Sequence, residues 1–268
     1  MKICLTGNKG YIGSQLQDYL RIYDVYGEDL FPLETNTQRL MNLSDIHSDA
    51  FVHCAAKISV PESFEKPSEY VETNLTLLDK ILKNTKTKHF IFISSVSVLE
   101  PTNPYSMTKM LGEHMVAKSG VPYSIIRLSN VAGLLNDTYS SKVSKNHIIG
   151  AMCSAAKSGK NIKVYGSDYP TYDGTCIRNY VDIKDVIVDI RELITDGPKN
   201  GVVYSLGIGN YSNLEIANKI KAYSGKNIEI EFEPNRSNEV PFYRIPKNII
   251  SNGTINVDSI IKMVYDSI

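Results

Sequence analysis

Short apolar runs alternate along the chain with longer stretches whose apolar residues recur every three or four positions. "KICLT" (2–6) reads as a buried strand, and "YIGSQLQDYLRI" (11–22) carries helical spacing. Further strand-like runs are "YDVYG" (23–27), "AFVHCAA" (50–56), "HFIFIS" (89–94) and "YSIIRLS" (123–129). Between them the spacing predicts a helix over 67–84, with Tyr70, Val71, Leu75, Leu78 and Leu82 on one face, and another over 105–118. Strand and helix in alternation predict an α/β fold. Its core would be a Rossmann-type, doubly wound parallel sheet with right-handed crossovers.

The second half changes character. Helix-like "NHIIGAMCSAAKSG" (146–159) precedes a short strand, "IKVYG" (162–166), and a turn-rich loop, "DYPTYDGTCIRNY" (168–180). A helix near 183–195 and strand-like "VVYSL" (202–206) follow. Ser212 and Glu215 stand at capping-box spacing ahead of another helix, and "IEIEF" (228–232) leads into a polar tail. The expected organisation is a dinucleotide-binding core of 1–129, with part of 175–206 returning to it. A smaller interleaved α/β substrate lobe would take 130–174 and 207–268. Ligands of such architectures sit at the carboxyl ends of the strands, where strand order reverses.

Composition narrows the classes. The 268 residues balance 29 Lys+Arg against 29 Asp+Glu, so no global field recruits nucleic acid or an anionic membrane. An anionic ligand must therefore be held by a few placed cations. "MKICLTG" enters a strand at once and does not read as a signal peptide, and no apolar run approaches membrane-spanning length. Cys4, Cys54, Cys153 and Cys176 lack metal-ligand spacing, as do the scattered histidines. The expectation is a cytoplasmic protein with reduced thiols and no metal. Its histidines His53 and His89 would be structural, in or beside strands.

Two motifs carry chemistry. "TGNKGYIG" places Gly7, Gly10 and Gly13 where the first strand meets the first helix. Dinucleotide binding needs glycines there for a tight turn, for close approach to a pyrophosphate and for helix–strand packing. "PYSMTK" sets Tyr105 and Lys109 one helical turn apart. A free tyrosine, pKa about 10, is a poor base near neutrality, but an adjacent ammonium stabilises its phenolate. Tyr-x-x-x-Lys alone also describes an ordinary surface pair. Preceded by a serine at a strand end in "FISSVSV", it reads as a proton-transfer constellation.

These motifs stand in order with "HCAAKISVPES", "NLTLLD", "RLSNVAG", "DYPTYDGTCIRNYVDIKDV" and "PNRSNEVPFY". Together they resemble, over nearly the whole chain, the extended short-chain dehydrogenase/reductase superfamily and its UDP-glucose 4-epimerase-like branch. The resemblance implies that Tyr105 is the catalytic base and that Lys109 tunes it and holds the nicotinamide ribose. It implies that Ser95 bonds the sugar 4-oxygen. NAD would lie against Gly7, Gly10, Tyr11, Ile12, Gly13, Asn42, Ala55 and Asn74. Asn130, Asn146 and Tyr165 match positions at the substrate phosphates and base. Arg178, presented by its loop, and Arg236 match diphosphate cations, and Glu239 stands where an aspartate binds ribose. The implied partner is a UDP-sugar or similar nucleotide sugar, and the implied assembly is a homodimer built on the helices near 67–84 and 105–118, with Leu77, Ile81, Met107, Met110 and Met115 as its surplus apolar positions.

The chain departs from that pattern in places. Nine residues separate Ser95 from Tyr105, where the family has a longer loop. The segment after the second strand is abbreviated, and Asn42 replaces a common aspartate. Asp24, Glu28 and Asp29 compete for the adenosine ribose, and Lys9 leaves NADP open beside NAD. The expected activity is C4 epimerisation of a UDP-hexose through a 4-keto sugar. A reductase of a 4-keto nucleotide sugar and a non-catalytic dinucleotide-binding regulator stand as alternatives. A 4,6-dehydratase fits less well, because Val96 and Ser97 follow the serine where that chemistry wants an acid–base pair.

Overall fold

The computed structural model describes residues 1–29, 46–142, 147–207, 209–245 and 256–268. The readings on Asn42 and Asn146 fall outside the described residues. The chain forms two compact units, Met1–Leu128 with Ile187–Tyr204, and Ser129–Val186 with Ser205–Ile268.

In chain order the strands are β1 (Lys2–Thr6), β2 (Asp24–Glu28), β3 (Ile46–Ser48), β4 (Ala50–His53), β5 (Thr85–Thr87), β6 (Phe90–Ser95) and β7 (Tyr123–Leu128). There follow β8 (Asn130–Ala132), β9 (Ile162–Tyr165), β10 (Ile177–Asp182), β11 (Gly201–Ser205), β12 (Asn210–Ser212) and β13 (Ile230–Glu233). The helices are α1 (Tyr11–Tyr19), α2 (Val60–Glu65), α3 (Pro67–Val71), α4 (Leu77–Asn84), α5 (Pro104–Lys118) and α6 (Ile148–Lys157). α7 (Ile183–Asp196), α8 (Asn213–Ser224) and α9 (Val257–Ser267) complete the set among the described residues.

The first unit is built on a parallel six-stranded sheet in the order β11-β7-β6-β4-β1-β2. Burial on both faces explains why its inner strands β1, β4 and β6 are nearly continuous apolar runs and do not alternate. Phe51 and Phe90 stack across β4 and β6 at 5.1 Å, beside buried Leu77, Leu78 and Ile81. β1 has β2 on one side and β4 on the other, so strand order reverses there, the place where such sheets bind ligands at the carboxyl ends of their strands. β4 ends at His53, short of the expected 56.

The helix expected over 67–84 is broken. α3 gives way to a wider, π-type turn at Glu72–Thr76 before α4 begins. The extra residue rotates the buried face to Tyr70, Asn74, Leu77, Leu78 and Ile81. Val71, read as part of the core face, is exposed. Leu77 and Ile81, read as surplus apolar positions, belong to the unit's own core. α5 starts where Asn103 and Ser106 close a capping box, with Pro104 at the first helical position. Gly112 lets it lie close to the sheet: a Cβ there would be 2.8 Å from the Phe92 ring.

The second unit holds a three-stranded sheet, β12-β10-β8, and a parallel pair, β13-β9. Its core gathers Ile149, Met152, Cys153, Ile162, Val164, Ile216, Ile220 and Ile260 around Tyr180. Ser212 and Glu215 close the expected capping box at α8. Arg178 corrects one reading. It lies in β10, opposite Tyr211 of β12, and not in the loop that precedes it. The turn residues end at 176; Ile177–Asn179 then pair with β12, and the buried Tyr180–Asp182 with β8.

Candidate active site

In the first unit β1 delivers the glycine loop. Gly7 has φ +74°, a conformation that favours glycine, and a Cβ on it would be 2.7 Å from the Ala55 amide nitrogen. A Cβ on Gly13 would be 2.1 Å from the Gly7 carbonyl oxygen, so α1 rests directly on the loop. Gly10 opens α1 with no side-chain cap, and the first turn, with Tyr11 and Ile12, contains no acid. A cradle that any Cβ would fill, against an uncapped helix start, fits a pyrophosphate. Of the three acids near β2, Asp24 is exposed at the strand's start and Glu28's side chain lies outside the described residues. Asp29 is buried at its end and accepts the Lys9 amide at 2.6 Å.

Buried polar side chains hold the floor of this half together. Thr6 Oγ1 and His53 Nδ1 are 2.7 Å apart, and burial, aided by the Lys109 charge, pushes His53 down to about 3. Asn74, read as a cofactor contact, is buried, and its amide clamps other parts of the unit. Its Oδ1 accepts the Lys57 amide (2.8 Å), and its Nδ2 donates to the Lys57 carbonyl and Thr108 Oγ1 (both 3.0 Å). It thereby holds the segment that carries Ala55.

Ser95 ends β6, and Tyr105 and Lys109 lie on one face of the first turns of α5. Lys109 is 5% exposed; its Nζ donates to the Ile93 carbonyl at 2.8 Å and sits 5.0 Å over the Phe92 ring. Burial brings it down to about 8, against the pull of Cys54 and Glu113. Ser95 Oγ accepts from the Ser97 amide at 3.2 Å and lies 3.0 Å from Ser97 Oγ. A further turn along α5, Glu113 takes a bidentate pair from Arg127 (2.8 and 2.6 Å) and a bond from Ser94 Oγ (2.6 Å). Arg127 also donates to the Tyr204 hydroxyl at 2.7 Å. The sequence reading names Asp29 only among three candidate ribose acids and Ser97 only as a residue that follows the serine, and it lacks Glu113. The spacing Tyr105, Lys109, Glu113, every fourth residue on α5, is the signal that could have found it.

In the second unit Arg178 is 6% exposed. Its Nη1 donates to the Ile177 (2.9 Å) and Pro241 (3.2 Å) carbonyls, its Nη2 pairs with Glu239, and its guanidinium lies 5.3 Å from the Tyr243 ring. Neither nearby aspartate ties it down: Asp173 accepts from Thr175 and Ser212, and Asp182 from the Lys184 amide. Glu239, read as a ribose ligand, is thus the partner of Arg178. Arg236 stacks on Tyr165 at 3.8 Å, which brings those two residues together on exposed backbone. Asn130 donates to the Asn179 carbonyl at 3.1 Å, across the β8–β10 pairing.

Residues 3–207 match the NAD dependent epimerase/dehydratase family. The chain belongs to that family, whose cofactor is NAD. It is 28% identical to a UDP-glucose 4-epimerase of Lactobacillus helveticus, over 95% of this chain and 89% of that protein. In fold it matches a variant of the UDP-glucuronic acid 4-epimerase of Bacillus cereus, solved with UDP-4-deoxy-4-fluoro-glucuronic acid and NAD. That match has a TM-score of 0.84 at 23% identity, over 100% of this chain and 98% of that one. It matches the UDP-glucose 4-epimerase of Bifidobacterium longum, in complex with NAD+ and UDP, with a TM-score of 0.82 at 22% identity and the same coverage.

Proposed function

We propose that the protein is a UDP-sugar 4-epimerase that holds NAD on the Gly7–Gly13 loop and works through a 4-keto sugar. One observation carries the reading: a buried lysine, strongly desolvated, one helical turn from Tyr105 in the same unit as a glycine cradle shaped for a pyrophosphate. Relatives named as 4-epimerases favour this over a keto-sugar reductase. The survival of Ser95, Tyr105 and Lys109 favours it over a regulator without catalysis.

Bound NAD would supply the hydride acceptor and donor for the sugar carbon. Tyr105 takes the hydroxyl proton and returns it, and the Lys109 ammonium stabilises the phenolate between those events. Ser95 bonds the sugar oxygen. Arg178 and Arg236 hold the diphosphate, planar forks suited to its oxygens. On the same reading the working form is a homodimer.

Turnover of UDP-glucose, UDP-galactose and UDP-glucuronic acid, with and without Tyr105→Phe, tests the site. The substitution should cost at least about 10²-fold in kcat. Mass spectrometry of the denatured protein should find NAD in both forms. Unchanged turnover would remove Tyr105 from the chemistry. Cofactor consumed stoichiometrically with sugar would replace the epimerase by a reductase.

A further inference from the structure

Ser97 holds Ser95 in one hydrogen-bonding role. A serine hydroxyl has one proton to donate and two lone pairs to accept with. Ser95 Oγ receives the Ser97 backbone N–H at 3.2 Å, a bond whose direction is not open to choice. The second contact, Ser97 Oγ to Ser95 Oγ at 3.0 Å, can run either way in principle. Burial decides it. Ser97 is 8% exposed, and among the described residues its hydroxyl has no acceptor other than Ser95 Oγ. Turning that proton elsewhere would leave a buried donor unmade, which costs more than a surface donor left to water. Ser95 is only half-buried, so its own proton can point outward.

We infer that Ser97 is a positioning residue that fills both acceptor sites of Ser95 and so makes Ser95 an obligate donor to the ligand oxygen. Resting on the epimerase reading of Ser95, this has a mechanistic consequence. With both lone pairs occupied, Ser95 cannot receive the sugar proton while passing its own along. It holds the sugar oxygen and keeps its proton, and exchange runs between that oxygen and Tyr105 without a serine relay.

Local geometry supports the assignment. Ser95 starts the short 3-10 turn Val96–Leu99, and its side chain caps that turn through the same Ser97 amide. The turn therefore survives loss of the Ser97 hydroxyl, because the capping bond uses backbone. What is lost is the second acceptor bond and, with it, the fixed direction of the Ser95 proton.

The experiment is a double-mutant cycle on UDP-glucose turnover by the full chain, with thermal melting of each form. Ser95→Ala comes first: if it leaves kcat unchanged, the epimerase reading of Ser95 fails and this inference goes with it. With Ser95→Ala impaired, Ser97→Ala should lower kcat about three- to tenfold and change KM less than about twofold. Ser97→Thr should stay within about twofold of wild type. Ser97→Cys, nearly isosteric and a weaker donor, should fall between. In the Ser95→Ala background, Ser97→Ala should add nothing, since its effect passes through the Ser95 oxygen. A Ser97→Ala loss that persists in that background would show a merely structural role and overturn the inference. So would Ser97→Ala at wild-type kcat.

Discussion

On the proposed function, Arg178 would serve the fold and a ligand at once. Buried in β10, it carries two carbonyl bonds and the Glu239 pair, and the Glu239 side chain is 26% exposed. Arg178→Ala strands that carboxylate, so it should destabilise the protein by about 2–4 kcal/mol, discounted for the water Glu239 still reaches. It should also weaken UDP binding about ten- to a hundredfold, the worth of charge-assisted bonds to a diphosphate. Arg178→Lys should recover part of both, because a point charge cannot reproduce the fork. Glu239→Gln separates the roles: stability should fall while UDP affinity holds or rises, the guanidinium being released from its partner. Calorimetric titration with UDP beside melting curves reads both quantities. Equal UDP affinity in all four proteins would leave Arg178 a purely structural residue.

At the scale of elements, the junction of β10 and α7 carries a tension. Asp182 caps the turn into α7 by accepting the Lys184 amide at 2.7 Å, yet its Oδ2 is buried with no hydrogen-bond partner among the described residues. Gly133, at φ +90°, lies close under that oxygen, where a Cβ would be 3.0 Å away. Burial raises the carboxyl from 3.8 to about 6. Between those values the folded protein binds the proton and the unfolded chain does not, so stability is greatest below the unfolded value and falls as pH rises towards about 6. Relative to wild type, Asp182→Asn should therefore gain roughly 2–3 kcal/mol between about pH 4 and about pH 7. Melting curves across that range measure it, and a difference that stays flat with pH would refute the buried carboxylate. What the sequence made legible follows the same physics. The inner sheet strands β1, β4 and β6 were readable because burial on both faces leaves nearly uninterrupted apolar runs, and Tyr105 and Lys109 because their relation is local to one helix. β10 was hidden behind the turn chemistry of Asp168, Pro170 and Gly174, since its identity as a strand rests on distant β8 and β12. The π-type turn at 72–76 was invisible to a periodicity that assumes a constant rotation per residue. The Arg178–Glu239 pair, 61 residues apart, leaves no local trace at all.

For the whole molecule, the apolar surface of the first unit bears on assembly. Val71 on α3 and Met107 and Leu111 on α5 are 48%, 47% and 48% exposed, and the last two lie one turn apart on a helix that packs against α3. The sheet-facing stripe of α5 is already supplied by Thr108, Gly112 and Val116, so these side chains do not complete the unit's own core. Met110 is only partly buried and extends the same surplus, whereas Met115, read as surplus, packs against the unit's own core. A second copy laid against this face would bury them symmetrically, the commonest closed arrangement for a soluble enzyme. Sedimentation should then return a dimer mass over a wide concentration range. Leu111→Glu, which puts a charge in the centre of the face, should shift that mass towards the monomer while leaving the monomer folded by circular dichroism. A wild-type mass that stays monomeric at every concentration would rule the dimer out, and the exposed methionine and leucine side chains would then need another partner or none.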